Sequence, residues 1–168
     1  EQYYENIIAS IIDVDRSEAF IVALCDLIKR MAVDRLHIVG DIFDRGPHAD
    51  VILDRLMDHH SVDIQWGNHD ILWMGAASGS RTLVATVLSN SIHYHTLEVI
   101  ETGYGISLRP LSIFANEVYQ SCDTRRFAVK LTGEDKDHVS QKDQLLSARM
   151  HKAITVILFK LEGQKILR

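Results

Sequence analysis

Residues 36–70 read LHIVGDIFDRGPHADVILDRLMDHHSVDIQWGNHD, and this stretch decides the fold class. Leu36, Ile38 and Val39 make a short apolar, β-branched run that stops at Gly40, the pattern of a buried parallel strand. The polar segment 41–50 reads as a loop. Val51, Ile52, Leu53, Leu56 and Met57 then recur at helical spacing, which predicts a helix opened at or just before Asp50. Residues 61–65 read as a second strand and 66–70 as its exit loop. The sum is a βαβ unit, which crosses over right-handedly and pairs its strands in parallel. An open sheet usually holds about four to six strands. Further strands are therefore expected from chain outside this sequence or from a partner.

Outward from that unit the chain is helical. Residues 3–12, and the run from Ser17 with Phe20, Ile21, Leu24, Leu27 and Ile28, predict two helices, the second capped near Ser17. Helices are also predicted over 71–77, 81–94, 110–120 and 141–167. In the last of these Met150, Ile154, Ile157, Leu158 and Leu161 form a stripe suited to a core or an interface. Residues 132–142 are polar and charged, and are expected to form a mobile loop. The fold class is α/β: one partial domain with a helical insertion over 1–34, the βαβ segment over 35–80 and a helical region over 81–168. A first residue other than Met and a last one inside a helical pattern mark the chain, in this reading, as an internal fragment of a longer polypeptide.

Composition narrows the function. Among 168 residues 46% are hydrophobic and 24% charged, within the range of globular proteins. The formal charge of −5 disfavours broad binding to nucleic acid through phosphate contacts. No apolar run reaches the 18 or more residues of a spanning helix, so no membrane partner is expected. Cys25 and Cys122 lie far apart with no paired spacing, which suggests neither a disulfide framework nor a cysteine zinc site and points to the cytoplasm.

The chemistry-bearing residues cluster in two loops, GDIFDRG (40–46) and GNHD (67–70). Each follows the carboxyl end of a predicted parallel strand, where open α/β sheets bind ligands. Asp41 offers a carboxylate able to bridge two hard cations, and Asn68 an amide oxygen that adds no charge to repel a phosphate. His69 stands where a general acid for a leaving group is wanted. Asp44 and Asp70 are placed to orient that imidazole, and Arg45 supplies a planar fork matched to phosphate oxygens. Plain turn chemistry is the competing reading of either loop alone, and Asp70 also suits the cap of the following helix. Elsewhere, His37, His59, His60, His93 and His95 read as packed or surface histidines. Gly103-Tyr104-Gly105 with Arg109 reads as a turn before a helix more than as a sugar-phosphate loop.

The two motifs resemble the second and third signatures of the calcineurin-like binuclear metallophosphoesterases. The surrounding text resembles the bacterial class III fructose-1,6-bisphosphatases more closely, through LHIVGDIFDRGPHADVILDRLMDHHSVDIQWGNHDILWMGAASG (36–79), TLEVIETGYGISLRPL (96–111) and MHKAITVILFKLEGQ (150–164). The resemblance implies a helix-rich piece of a metallophosphoesterase with long helical insertions. It implies Asp41 as bridging metal ligand, Asn68 as ligand of one metal, His69 as proton donor, Asp44 as its partner, Arg45 as phosphate contact and Mn²⁺ as the ion. The implied reaction is gluconeogenic hydrolysis of fructose 1,6-bisphosphate to fructose 6-phosphate and phosphate. The implied partners are that substrate, the remainder of the full-length enzyme and further copies of it. Two departures stand out. Asp13-Val14-Asp15 lacks the histidine of the first signature, and no late ligand histidines follow, so the chain is expected to hold one half of the site and little activity alone. A protein Ser/Thr or nucleotide phosphoesterase, and an inactive helical scaffold, are the rival readings.

Overall fold

The structure, a computed structural model, describes residues 1–133 and 138–167. The chain divides into two compact units, residues 1–38 with 55–64 and residues 39–54 with 65–168.

The first unit holds helices α1 (Gln2–Asp13) and α2 (Ser17–Ala32), strands β1 (Leu36–Ile38) and β2 (Val62–Ile64), and the end of α3 (Ala49–Met57). Its strands pair in parallel with Leu36 opposite Val62, His37 opposite Asp63 and Ile38 opposite Ile64. This is the predicted pairing. The His37 and Asp63 side chains meet across the register, Nδ1 to Oδ2 at 2.6 Å. The N-cap of α2 is Arg16, next to Ser17 and so within the expected place. Neither α1 nor α2 has a buried residue, and Tyr3, Tyr4, Ile21, Ile28 and Met31 all stand exposed.

The second unit is built of α4 (Asn68–Ala77), α5 (Arg81–His93), α6 (Leu97–Gly103), α7 (Arg109–Val118), a 3₁₀ turn (Arg125–Phe127) and α8 (Gln141–Ile166). The long α8 packs against both α5 and α7. It starts where Ser140 Oγ accepts the Asp143 N–H at 3.2 Å, an N-cap that satisfies one orphan donor of the first turn. The core joins Ala85, Val87 and Ile92 of α5, Ile100 of α6, Leu108, Ala115 of α7, and Met150, Ala153 and Ile154 of α8. Ala115 and Ala153 are wholly buried, and such small residues let helix axes approach closely. Ile157, Leu158 and Leu161 pack against that core, so the predicted stripe is a core stripe.

Two expectations need correction. Residues 66–70 do not run as a loop to Asp70, because α4 already begins at Asn68. Of the loop expected over 132–142, residues 134–137 lie outside the described residues, and from Gln141 onward the chain is α8. What is observed is a helix-rich α/β chain with a two-stranded parallel sheet among the described residues. No helix among those residues is long and apolar enough to cross a membrane.

Candidate active site

The two predicted loops come together in the second unit, and backbone contact between glycines is what lets them. Gly40 has φ of 94°, and a Cβ there would lie 2.6 Å from the Gln65 carbonyl oxygen. A Cβ on Gly67 would lie 2.6 Å from the Asp41 nitrogen and overlap the Asp41 carboxylate. Only glycine admits this approach. Asp41 itself has φ of 56°, a left-handed conformation that costs an aspartate about 1–3 kcal/mol and that tends to occur at functional sites.

Asp70 organises the pair of loops. Only 4% exposed, it spends its carboxylate on three backbone donors. Oδ2 accepts the Asp41 N–H at 2.7 Å and the Gly67 N–H at 2.9 Å, and Oδ1 accepts the Phe43 N–H at 3.1 Å. The bond to Gly67 is half of a capping box, since Gly67 is the N-cap of α4 and Asp70 its third residue. The expectation that Asp70 orients the His69 imidazole is not met in this geometry, because both of its oxygens serve the backbone.

Asp44 takes that place instead. Its Oδ1 lies 3.1 Å from His69 Nε2 and accepts from Arg45 Nε at 3.1 Å, while Oδ2 accepts from Arg45 Nη2 at 3.2 Å. Hydrogen bonding to Asp44 raises the Arg45 pKa above its ordinary value, so the guanidinium stays charged. Asp41 turns one oxygen toward the first turn of α4, where Oδ1 accepts the His69 N–H at 3.2 Å, a position in which the helix dipole favours a negative charge.

Aromatic rings pin the first loop to the helices. Phe43 stacks on Trp73 of α4 with centroids 5.2 Å apart, and Trp73 meets Tyr104 at 5.1 Å. Tyr104 Oη is buried with no hydrogen-bond partner among the described residues, and burial pushes its pKa up. Beneath Asp44, Arg45 and His69 a cavity of about 10 Å³ reaches Asn90 and Tyr94 at the end of α5, space for one water. The Arg45 guanidinium carbon lies 4.7 Å from the centre of the Tyr94 ring.

The donor set also bears on metal binding. Asp41 Oδ2 accepts no hydrogen bond among the described residues, and Asn68, next to His69 in sequence, is exposed. These are hard oxygen donors of the kind a divalent cation takes, but six or so are needed for a full shell. Among the described residues no three His, Cys, Asp or Glu side chains group to hold an ion. Asp41 and Asn68 are thus of the donor type a hard cation takes, and the described residues do not by themselves assemble a site for one.

The structure therefore brings Asp41, Asp44, Arg45, His69 and Asp70 into one connected network, with Asn68 opening α4 at its edge. Reading the sequence missed Tyr94 and Trp73, and took Tyr104 for part of a turn before a helix. Trp73 had a signal, standing three residues after Asp70 on the same helix face. Tyr94 had none.

The family described as Firmicute fructose-1,6-bisphosphatase matches residues 1–168. A fructose-1,6-bisphosphatase class 3 of Clostridium beijerinckii is 56% identical over 99% of this chain and 25% of its own length. Those of Clostridium acetobutylicum and Listeria innocua are 52% and 53% identical over 100% of this chain, again across 25% of their own length. The chain thus spans about a quarter of the length of these curated relatives. No solved structure matches it.

Proposed function

Because the chain belongs to the Firmicute fructose-1,6-bisphosphatase family, we propose that it carries the phosphate-gripping and proton-donating half of a centre that hydrolyses fructose 1,6-bisphosphate to fructose 6-phosphate. The observation that carries this reading is the single Asp44 carboxylate tied both to His69 Nε2 and to the Arg45 fork.

A guanidinium has five N–H donors, of which Asp44 takes two. The remaining donors lie free for the equatorial oxygens of a phosphoryl group, where negative charge concentrates during transfer to water. Displacement expels a sugar alkoxide, a poor leaving group unless it is protonated. His69 is the proton donor in this scheme, and Nε2 is held on Asp44, which leaves Nδ1 as the ring nitrogen free to face the departing oxygen. Asp70 keeps the two loops in register through its three backbone bonds.

Asp41 and Asn68 would hold the metal, together with donors supplied from outside this chain, and we assign manganese to it. When bound, such an ion supplies Lewis acidity to the phosphoryl oxygens and lowers the pKa of the attacking water toward 7. The reaction belongs in this scheme to gluconeogenesis in the cytoplasm, where exposed thiols such as Cys25 and Cys122 stay reduced.

The test is phosphate release from fructose 1,6-bisphosphate by the full-length protein with Mn²⁺, with His69→Ala beside it. Release by the wild type and a loss of about 100-fold or more in His69→Ala are expected for a general acid. No release, or an undiminished variant, overturns the reading. Faster turnover of a phosphoserine peptide or a nucleotide replaces the sugar with that substrate.

A further inference from the structure

We infer that Tyr94 is a positioning residue for Arg45: its ring holds the guanidinium flat, so that the edge not bound to Asp44 stays presented to substrate phosphate. The inference rests on the phosphatase reading above and adds to it a residue from outside both signature loops.

Arg45 lies in the loop between β1 and α3, and its side chain is 52% exposed. Asp44 fixes one edge of the fork but neither face, so the group keeps freedom to swing about that edge. An arginine side chain carries substantial rotamer entropy, which phosphate binding must otherwise remove. The Tyr94 ring, 4.7 Å from the guanidinium carbon, removes that freedom beforehand. The distance lies inside the range for a cation over an aromatic face.

Tyr94 is itself well anchored. It is the C-cap of α5, its N–H donates to the Asn90 carbonyl at 3.0 Å, and His93 meets it edge-on at 4.8 Å. The Lys130 N–H in turn donates to the His93 carbonyl at 2.7 Å. Ile92, two residues earlier, lies wholly within the core. A core helix therefore sets the orientation of a loop arginine. Lys130 Nζ lies farther from the same ring, at 5.5 Å.

The test uses the full-length protein with wild type, Tyr94→Phe, Tyr94→Leu, Arg45→Ala and the Arg45→Ala/Tyr94→Leu double variant. An exposed cation–aromatic contact of this kind corresponds to about a 2–5-fold effect. Tyr94→Leu should raise KM for fructose 1,6-bisphosphate by that factor with kcat little changed, and Tyr94→Phe, which keeps the ring, should restore it. In the Arg45→Ala background Tyr94→Leu should do nothing further, because coupled residues are non-additive. A merely structural role gives the opposite result: the loss persists without Arg45, and kcat falls with it. That outcome overturns the inference, as does a Tyr94→Phe variant no better than Tyr94→Leu. If the wild type hydrolyses no fructose 1,6-bisphosphate, the proposed function falls and calorimetric binding of inorganic phosphate decides Tyr94 by itself. Weaker binding in Tyr94→Leu and in Arg45→Ala, with no further weakening in the double, upholds the inference, and Tyr94→Leu binding like the wild type overturns it. Should Tyr94→Leu fail to fold, Tyr94→Trp takes its place. The stronger indole face should lower KM only when Arg45 is present, and a KM equal to that of Tyr94→Phe overturns the inference.

Discussion

Replacing Asp70 separates a scaffolding role from a catalytic one. Its carboxylate holds three backbone N–H groups, two on Oδ2 and one on Oδ1, and is itself 4% exposed. In Asp70→Ala all three donors lose their acceptor. A buried donor left unsatisfied costs about 1–3 kcal/mol. All three bonds are part-buried, so the lower part of that range applies to each and the sum is about 3–5 kcal/mol. Asp70→Asn is milder. Its carbonyl oxygen can keep the Asp41 and Gly67 bonds, but the amide nitrogen then faces the Phe43 N–H, donor against donor, for a cost of about 2 kcal/mol. Urea unfolding followed by tryptophan fluorescence measures both, because Trp73 stacks on Phe43 inside the affected loop. The two losses should appear in that order, and the pH–rate profile of the folded fraction should keep its shape. An Asp70→Asn protein as stable as the wild type, with an altered pH profile, would refute the scaffolding argument and return Asp70 to the imidazole.

Three other outcomes follow from the geometry. Gly67→Ala should shift the Asp41 carboxylate and cost about 1–3 kcal/mol, with a higher Mn²⁺ concentration needed for half-maximal activity; unchanged metal dependence counts against Asp41 as a ligand. Ile92→Ala, at a fully buried position between α5 and its neighbours, should lower the unfolding free energy by about 2–5 kcal/mol in the same urea assay. Burial, reinforced by His151 and Lys130, holds His93 below the ordinary imidazole value of 6.5. As pH falls below 6.5 the unfolded chain therefore takes up a proton that the folded chain refuses, and stability falls with it; His93→Phe should flatten that slope in unfolding curves between pH 7 and 5.

How much was legible depended on the range of the interaction. The strands, their parallel pairing and the stripe on α8 could be read because hydrophobic period and β-branching act over a few residues. Asp41, Asp44, Arg45 and His69 could be chosen because residue types suited to phosphate chemistry stood in two short loops. The start of α4 was misread because Asn68, His69 and Asp70 are weak helix formers, and the helix is opened there by a cap whose acceptor also binds Asp41 and Phe43. Such a bond spans up to 29 residues and leaves no local trace.

The sequence by itself determined which groups the two loops carry: three carboxylates, an amide, an imidazole and a guanidinium, punctuated by glycines that allow the backbone to close in. Tertiary structure decided which carboxylate serves which purpose. Asp44 and Asp70 are the same residue type, each beside a residue of the network in sequence, and no propensity distinguishes them. One turns outward to His69 and Arg45, and the other inward to three backbone N–H groups, because a carboxylate's partners are fixed by where the chain brings donors in space.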